Sequence, residues 1–302
     1  MNRKNHSAPK EAIPVYDLCS LSESKDPRQE LLAERFGAYL KRHTEHLHRP
    51  HRHSFYHLVL FTRGRGSHTI DFERFAVQPG QVYFMVPGQV HSWHFEGEVD
   101  GYIIHFSDQL FRSFLQDPYY LERFPFFSGN SAEGVCQLPE DGLRQVFPLM
   151  ETILGEAAGS DPFSLDRVRL ALLDFFIAVD RRCGSAGRKS VPPQKATLLR
   201  SFQKLVDRNF RLLRLPKEYA ALLYVTPNHL NALCQDLLGK TAGEVIRDRV
   251  LLEARRLLTN AGQTVTEIAY DLNFQDNSYF NRFFKKETGQ TPEEFRKQFI
   301  HA

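Results

Sequence analysis

The run NSYFNRFFKKETGQTPEEFR, residues 277–296, has a faint copy about fifty residues upstream in NHLNALCQDLLGKTAGEV, residues 228–245. At an offset of 50, Asn231 falls on Asn281, Leu230 on Phe280, Leu233 on Phe283, Gly239 on Gly289, Thr241 on Thr291 and Glu244 on Glu294. Further upstream the offset is 49, pairing Glu218 with Glu267, Ala220 with Ala269 and Leu223 with Leu272, so one residue has entered the intervening turn. A turn absorbs an insertion at little entropic cost, while packed faces on either side must keep their register.

Each copy reads as two short helices joined by a tight turn. In LPKEYAALLYV, Ala220 and Leu223 share a helical face, and Thr226-Pro227 then supplies a capping oxygen and a proline at the first helical position. In TVTEIAYDLNF, Ile268, Ala269 and Leu272 come together, and Asp276 takes the capping place of Thr226. The downstream helices are predicted to bury Leu230 with Leu233, and Phe280 with Phe283. A small alanine facing the second helix permits a close, steep crossing, which is the helix-turn-helix layout. Between the copies, AGEVIRDRVLLEARRLLTN puts Val245, Val250, Leu251, Ala254, Leu257 and Leu258 near one stripe, so the copies are predicted to sit on a stiff connecting helix.

Charge is unevenly shared. From Val191 onward there are 17 Lys and Arg against 12 Asp and Glu, a net of +5, leaving 22 against 24 before it. A basic end gains from counterion release on a polyanion, which points to a polyanionic partner. The 302 residues, 42% apolar and 25% charged, suit two soluble globular domains. No apolar stretch is long enough for a membrane span, and MNRKNHSAPK is no signal peptide. Cys19, Cys136, Cys183 and Cys234 are scattered without a CxxC or an obvious disulfide framework, which fits a cytoplasmic protein. GSAGRKSVPPQ, residues 184–194, has the composition of a linker.

Residues 195–299 resemble the DNA-binding module of the AraC/XylS transcription regulators, the later motif standing here as VTEIAYDLNFQDNSYFNRFFKKETGQTPEEFR. The first unit departs from the family, reading LNALCQDLLG where a basic run is usual before the glycine. By resemblance Ser278 and Arg282 face bases, with Asn277, Asn281 and Lys285 beside them. Asn228, Asn231 and Ala232 take the corresponding places in the first unit. Arg282 suits guanine O6 and N7, the asparagines suit adenine, and Ala232 can touch only a thymine methyl.

The front half is different material. HRHSFYHLVLFTRGRGSHTIDFERFAVQPGQVYFMVPGQVHSWHFEGEVDGYIIHF alternates short aromatic and β-branched runs with Gly-containing turns, as in a sandwich or barrel. Helices are predicted beyond it at SDQLFRSFL, at residues 139–158, and in SLDRVRLALLDFFIAVDRRC, where Leu165, Val168, Leu172, Phe175, Phe176 and Val179 line one side; the last two form a pair that would either cap the barrel or hold a dimer. On PHRHSFYH and PGQVYFMVPGQVH, the strand region resembles the small cupin barrel found in front of many AraC-type modules. The whole chain is therefore expected to be α+β in two domains. Residues 1–183 would form a cupin-like β-barrel with flanking helices, and 195–302 an all-α module of two helix-turn-helix units joined by a helix.

His51, His53 and His57 have one parity on an extended strand and emerge together, with His91 arriving from another strand. This approaches a metallocupin's ligand set but departs from it, with His57 where a Glu is usual. A pocket for an organic effector accounts for the same residues without metal or cofactor, using His51, His53, Tyr56, His57, His91 and Trp93, with His105 lining it beside them. No nucleophile–base pair or phosphate-cradling glycine motif is present. The expected function is an effector-responsive transcription regulator, an activator as most of the family are. RNA polymerase and a second copy of the chain are its further implied partners. The alternatives are a cupin oxygenase or isomerase with a DNA-binding tail, or a barrel used only for dimerisation.

Overall fold

The computed structural model describes residues 13–21, 29–117, 119–184, 192–259 and 262–300. They fall into two compact units, one of Pro14–Arg188 and one that includes Lys189–Ala302. The polar start and most of the linker, residues 185–191, lie outside the described residues.

The first unit runs β1 (Val15–Tyr16), α1 (Leu18–Leu21), β2 (Leu31–Arg35), α2 (Phe36–Leu47), β3 (His51–His53), β4 (Tyr56–Ile70), β5 (Glu73–Val77), β6 (Gln81–Met85), β7 (Val90–Phe106), α3 (Gln109–Arg112), β8 (Val135–Gln137), α4 (Glu140–Ala157) and α5 (Ser164–Val179). One sheet holds all eight strands in the order β1-β3-β7-β4-β6-β8, with β2 also on β7 and β5 also on β4. The long antiparallel pair β4 and β7 is its spine. Its register shifts twice around Arg63 and Arg65. Gly66, at φ +149°, allows the bend, since a Cβ there would stand 2.1 Å from the carbonyl oxygen of His94.

The bent sheet has two apolar faces. Leu58, Leu60, Phe84, Ile104 and Phe106 pack with α4 and α5 through Val146, Met150, Leu172, Phe175 and Phe176. Phe55, Val59, Phe61, Tyr83, Trp93 and Ile103 pack on the other side with Phe36 and Tyr39 of α2. Two details differ from the sequence expectation. Leu165, in the first turn of α5, is exposed, because periodicity marks a face without marking where its partner surface ends. Cys136 and Cys183 form a disulfide pair with Cα atoms 6.0 Å apart, which the fold achieves by bringing β8 beside the end of α5 across 47 residues.

The second unit is helical: α6 (Pro193–Asn209), α7 (Pro216–Leu222), α8 (Pro227–Leu238), α9 (Ala242–Leu258), α10 (Val265–Asp271), α11 (Asn277–Thr288) and α12 (Pro292–Ile300). Three of its helix starts are written in the sequence as Thr-x-x-Glu. Thr241 with Glu244 and Thr264 with Glu267 form reciprocal capping boxes at α9 and α10. At α12 the Thr291 backbone N–H donates to Glu294 at 2.7 Å and Thr291 Oγ1 accepts from the Glu294 backbone N–H. In α9 the buried apolar positions are Ala242, Ile246, Val250, Leu251, Ala254 and Leu258, while Val245 and Leu257 are only half-buried.

Candidate functional site

The two copies fold alike down to their turn hydrogen bonds. The Leu223 N–H donates to the Tyr219 carbonyl at 3.0 Å and Val225 to Ala220 at 3.0 Å; Leu272 donates to Ile268 at 3.0 Å and Phe274 to Ala269 at 2.9 Å. Between these bonds Tyr224 and Asn273 occupy the left-handed region, at φ 55° and 57°. Ala220 and Ala269 are fully buried, which lets the second helix of each pair approach closely. That second helix is capped in the same way twice. Thr226 Oγ1 accepts from the His229 N–H at 3.1 Å, and Asp276 Oδ1 from the Tyr279 N–H at 2.6 Å. Both helices stop at a left-handed glycine, Gly239 at φ 67° and Gly289 at φ 81°.

The buried stripe of α11 is Phe280 with Phe284, one turn apart; Phe283 is half-buried with its ring 5.3 Å from that of Phe274. This rotates the outward face slightly from the one expected. Asn228, Ala232, Ser278, Arg282 and Lys285 are exposed on it. Asn231, Asn277 and Asn281 are half-buried at its edge and already engaged. Asn231 Oδ1 accepts from the Ala242 N–H at 3.0 Å and so holds the start of α9. Asn281 Nδ2 donates to Asn277 Oδ1 at 2.9 Å and to the Asn277 carbonyl at 2.8 Å. The reason is spacing: Asn277, Asn281 and Phe284 stand at i, i+4 and i+7, and Asn231 and Cys234 at i and i+3, so these asparagines flank buried side chains.

Four exposed residues on the same faces escaped the sequence reading: His229 and Gln235 on α8, Tyr279 and Lys286 on α11. The signal was available, since 229 and 235 match 279 and 285 at the offset of 50 and Lys286 follows Arg282 by one turn. The two faces differ in charge. Arg282, Lys285 and Lys286 give α11 three exposed cations that enter no ion pair among the described residues, whereas Asp236 of α8 is paired with Lys195 at 2.6 Å.

In the sheet unit, β3, β4 and β7 bring five further imidazoles around His51. His51 stands directly opposite His91 in the β3–β7 ladder, and His57 opposite His105 in β4–β7. His51, His53, His57, His68, His91 and His105 are each at most 3% exposed. The His57 Nδ1 lies 2.8 Å from His105 Nε2, and His68 Nε2 lies 2.9 Å from His91 Nδ1. Ring centroids of His51 and His91 are 4.1 Å apart, and those of His53 and His91 4.7 Å apart. One nitrogen from each of His51, His53 and His91 lies within 4.8 Å of the other two, close enough to converge on a metal ion. Burial, reinforced by neighbouring imidazoles, holds His53, His68, His91 and His105 well below the ordinary histidine range and His57 at about 3, so all five are neutral at pH 7.

Trp93 belongs to this interior, stacked on His68 with ring centroids 3.3 Å apart. Tyr56 does not. It lies on the opposite sheet face, stacked on Phe106 and against Phe127, because successive residues of a strand alternate sides and His57 already points inward. His68 is the inward residue missing from the expected pocket, which His105 does join. His105 shares the parity of His91 and Trp93 on β7, but His68 lies eleven residues after His57, and only the register shifts around Arg63 turn it to the same side.

Residues 36–173 match the model of an AraC-like ligand binding domain, and residues 219–298 that of a helix-turn-helix domain. The HTH-type transcriptional activator RhaR of Yersinia pestis is 22% identical over 282 residues, covering 92% of this chain and 94% of RhaR. The activator RhaS of Pectobacterium atrosepticum is 24% identical, covering 82% of this chain and 87% of RhaS. Among solved structures, ToxT of Vibrio cholerae aligns over 90% of this chain and 96% of its own, at 12% identity and a TM-score of 0.43.

Proposed function

The chain belongs to the AraC/XylS family of transcription regulators, and from that premise we propose that it is an activator that reads promoter DNA with α8 and α11 under the control of an effector held at the histidine cluster. The doubled turn supports this most strongly. Two helix-turn-helix units with the same turn hydrogen bonds, caps and glycine stops present two exposed second helices from one helical unit. Such helices enter successive major grooves about 34 Å apart, so one chain does what single-unit regulators need a dimer for. Base contact falls to Asn228, Ala232, Ser278, Arg282 and Lys285, joined by His229, Gln235, Tyr279 and Lys286. Asn231, Asn277 and Asn281 serve to hold those helices in place.

The same reading divides the chain into a sensing domain over 1–183, a linker over 184–194 and a DNA-binding domain over 195–302. The cluster is read as a sensor and not as a catalytic centre, because the side-chain hydrogen bonds of His57, His68, His91 and His105 run to one another and activate no nucleophile. No helix of the described residues is long and apolar enough to cross a membrane, in keeping with a place in the cytoplasm beside DNA and RNA polymerase. Phe163 and Leu170, exposed seven residues apart on and just before α5, favour a homodimer through that face. Selection of bound fragments from random DNA by the full-length protein tests the proposal: an enriched motif of two half-sites supports it, and recovery of unenriched DNA refutes it.

A further inference from the structure

The histidine cluster carries more than a generic effector site. We propose that His51, His53 and His91 bind one divalent transition-metal ion and that this ion is the effector, a proposal resting on the reading of the cluster as the control site.

Three observations carry it. The first is convergence: the three ligand nitrogens lie within 4.8 Å of one another on two strands paired at His51 and His91. A tetrahedral ion about 2.0–2.1 Å from each would bring them to roughly 3.4 Å, a closure within reach of side-chain rotation. The second is what faces inward. His91 Nε2 and His53 Nδ1 are buried with no hydrogen-bond partner among the described residues, and a buried polar atom of that kind calls for one. The third is what lies behind the ligands. His51 Nδ1 is 2.8 Å from the Arg49 carbonyl, an acceptor, so that nitrogen carries the proton and Nε2 keeps its lone pair. His91 Nδ1 is 2.9 Å from His68 Nε2, and donation to it frees His91 Nε2 in the same way. Metal-bound imidazoles are held by their far nitrogen in this manner.

The ligand chemistry narrows the ion. Imidazoles without a carboxylate suit Zn2+, Co2+, Ni2+ or Cu2+, while Mg2+ and Ca2+ want oxygen. Three protein ligands leave a position open for water or a small anion. An organic effector is the less economical occupant, since the rings of His51, His53 and His91 already pack within 4.9 Å of one another.

The test uses tag-free, full-length protein stripped with EDTA and titrated with Co2+, followed by its visible d–d absorption, with Zn2+, Ni2+ and Cu2+ as competitors and Mg2+ as control. The expected result is saturation at one equivalent, displacement by Zn2+ and no response to Mg2+. His53→Gln and His91→Gln should abolish stoichiometric binding while retaining the circular dichroism of the wild type. His68→Gln, which removes only the support behind His91, should weaken binding about 10–100-fold. Failure of the wild-type protein to bind any of the four ions stoichiometrically overturns the proposal, and so does unchanged Co2+ binding in the His53 and His91 variants. DNA affinity with and without the ion separates the two levels, with a change of roughly 5–150-fold expected. Tight binding with unchanged DNA affinity would keep the metal site and overturn its role as effector. A cell extract that shifts DNA affinity in metal-free protein where the four ions do not would overturn the metal and keep the cluster as control site.

Discussion

Mild acid should unfold the sheet domain of the metal-free protein while leaving the helical domain intact. His53, His57, His68, His91 and His105 are buried and held below the ordinary histidine pKa, His57 at about 3. The unfolded chain takes up protons near pH 6.5 and the folded domain does not, so stability is intact above about pH 6.5 and falls below it toward the folded values. Each such imidazole contributes a loss of about 1.36 kcal/mol per pH unit, or about 2 kcal/mol between pH 6.5 and 5. His57, held at about 3, contributes this much by itself, and the other four act in the same direction, against the 5–15 kcal/mol that holds a typical domain together. The capping glutamates of the helical domain move the other way. Backbone N–H donors at Thr241, Thr264 and Thr291 hold Glu244, Glu267 and Glu294 below the usual carboxylate value, so their contribution is lost only under stronger acid. The single Trp, Trp93, is buried within the histidine cluster and reports on the sheet domain alone. Urea titrations followed by its fluorescence from pH 8 to pH 5 should show a midpoint that is flat at first and then falls steeply below pH 6.5. A midpoint unchanged between pH 7 and pH 5 would refute the neutral, buried state assigned to these histidines.

Arg282→Ala should cost roughly 1–3 kcal/mol in DNA affinity and relax sequence preference in a binding-site selection, because it removes an exposed guanidinium from the face of α11. An undiminished affinity for the same motif would remove that residue from base readout. Tyr224→Asn should raise stability by about 1 kcal/mol in thermal melts, since Tyr224 sits at φ 55° in the position where the second unit has Asn273; a lowered melting temperature would show that the tyrosine has a compensating role. Asn231→Ala should lower stability by about 1 kcal/mol through loss of its hydrogen bond to the Ala242 N–H. A loss of DNA affinity with full stability would restore it to base contact.

The helical domain was largely legible because its determinants are local. Caps such as Thr241-x-x-Glu244, stops such as Gly289 and the small Ala220 and Ala269 act within a turn or two of chain, so a repeat in sequence becomes a repeat in space. What escaped there was helix rotation: reading Phe280 with Phe283 in place of Phe284 put Asn277 and Asn281 on the outward face when they border the buried one. In the sheet domain parity grouped His51, His53 and His57, yet it could not carry past the register shifts at Arg63 and Arg65 to His68. Tyr56 was grouped by proximity in sequence and lies on the far face for that same reason of alternation. The Cys136–Cys183 pairing depends on where β8 and the end of α5 meet, which no spacing rule encodes.

Hydroxyl-radical footprinting of the purified protein on its selected DNA site tests most directly that both helix-turn-helix units read DNA together. Two protected patches on one face of the duplex, their centres about one helical turn or 10–10.5 base pairs apart, are the expected result, with Arg282→Ala weakening the patch contacted by α11. A single patch covering one turn, unaffected by substitutions on either α8 or α11, would contradict it.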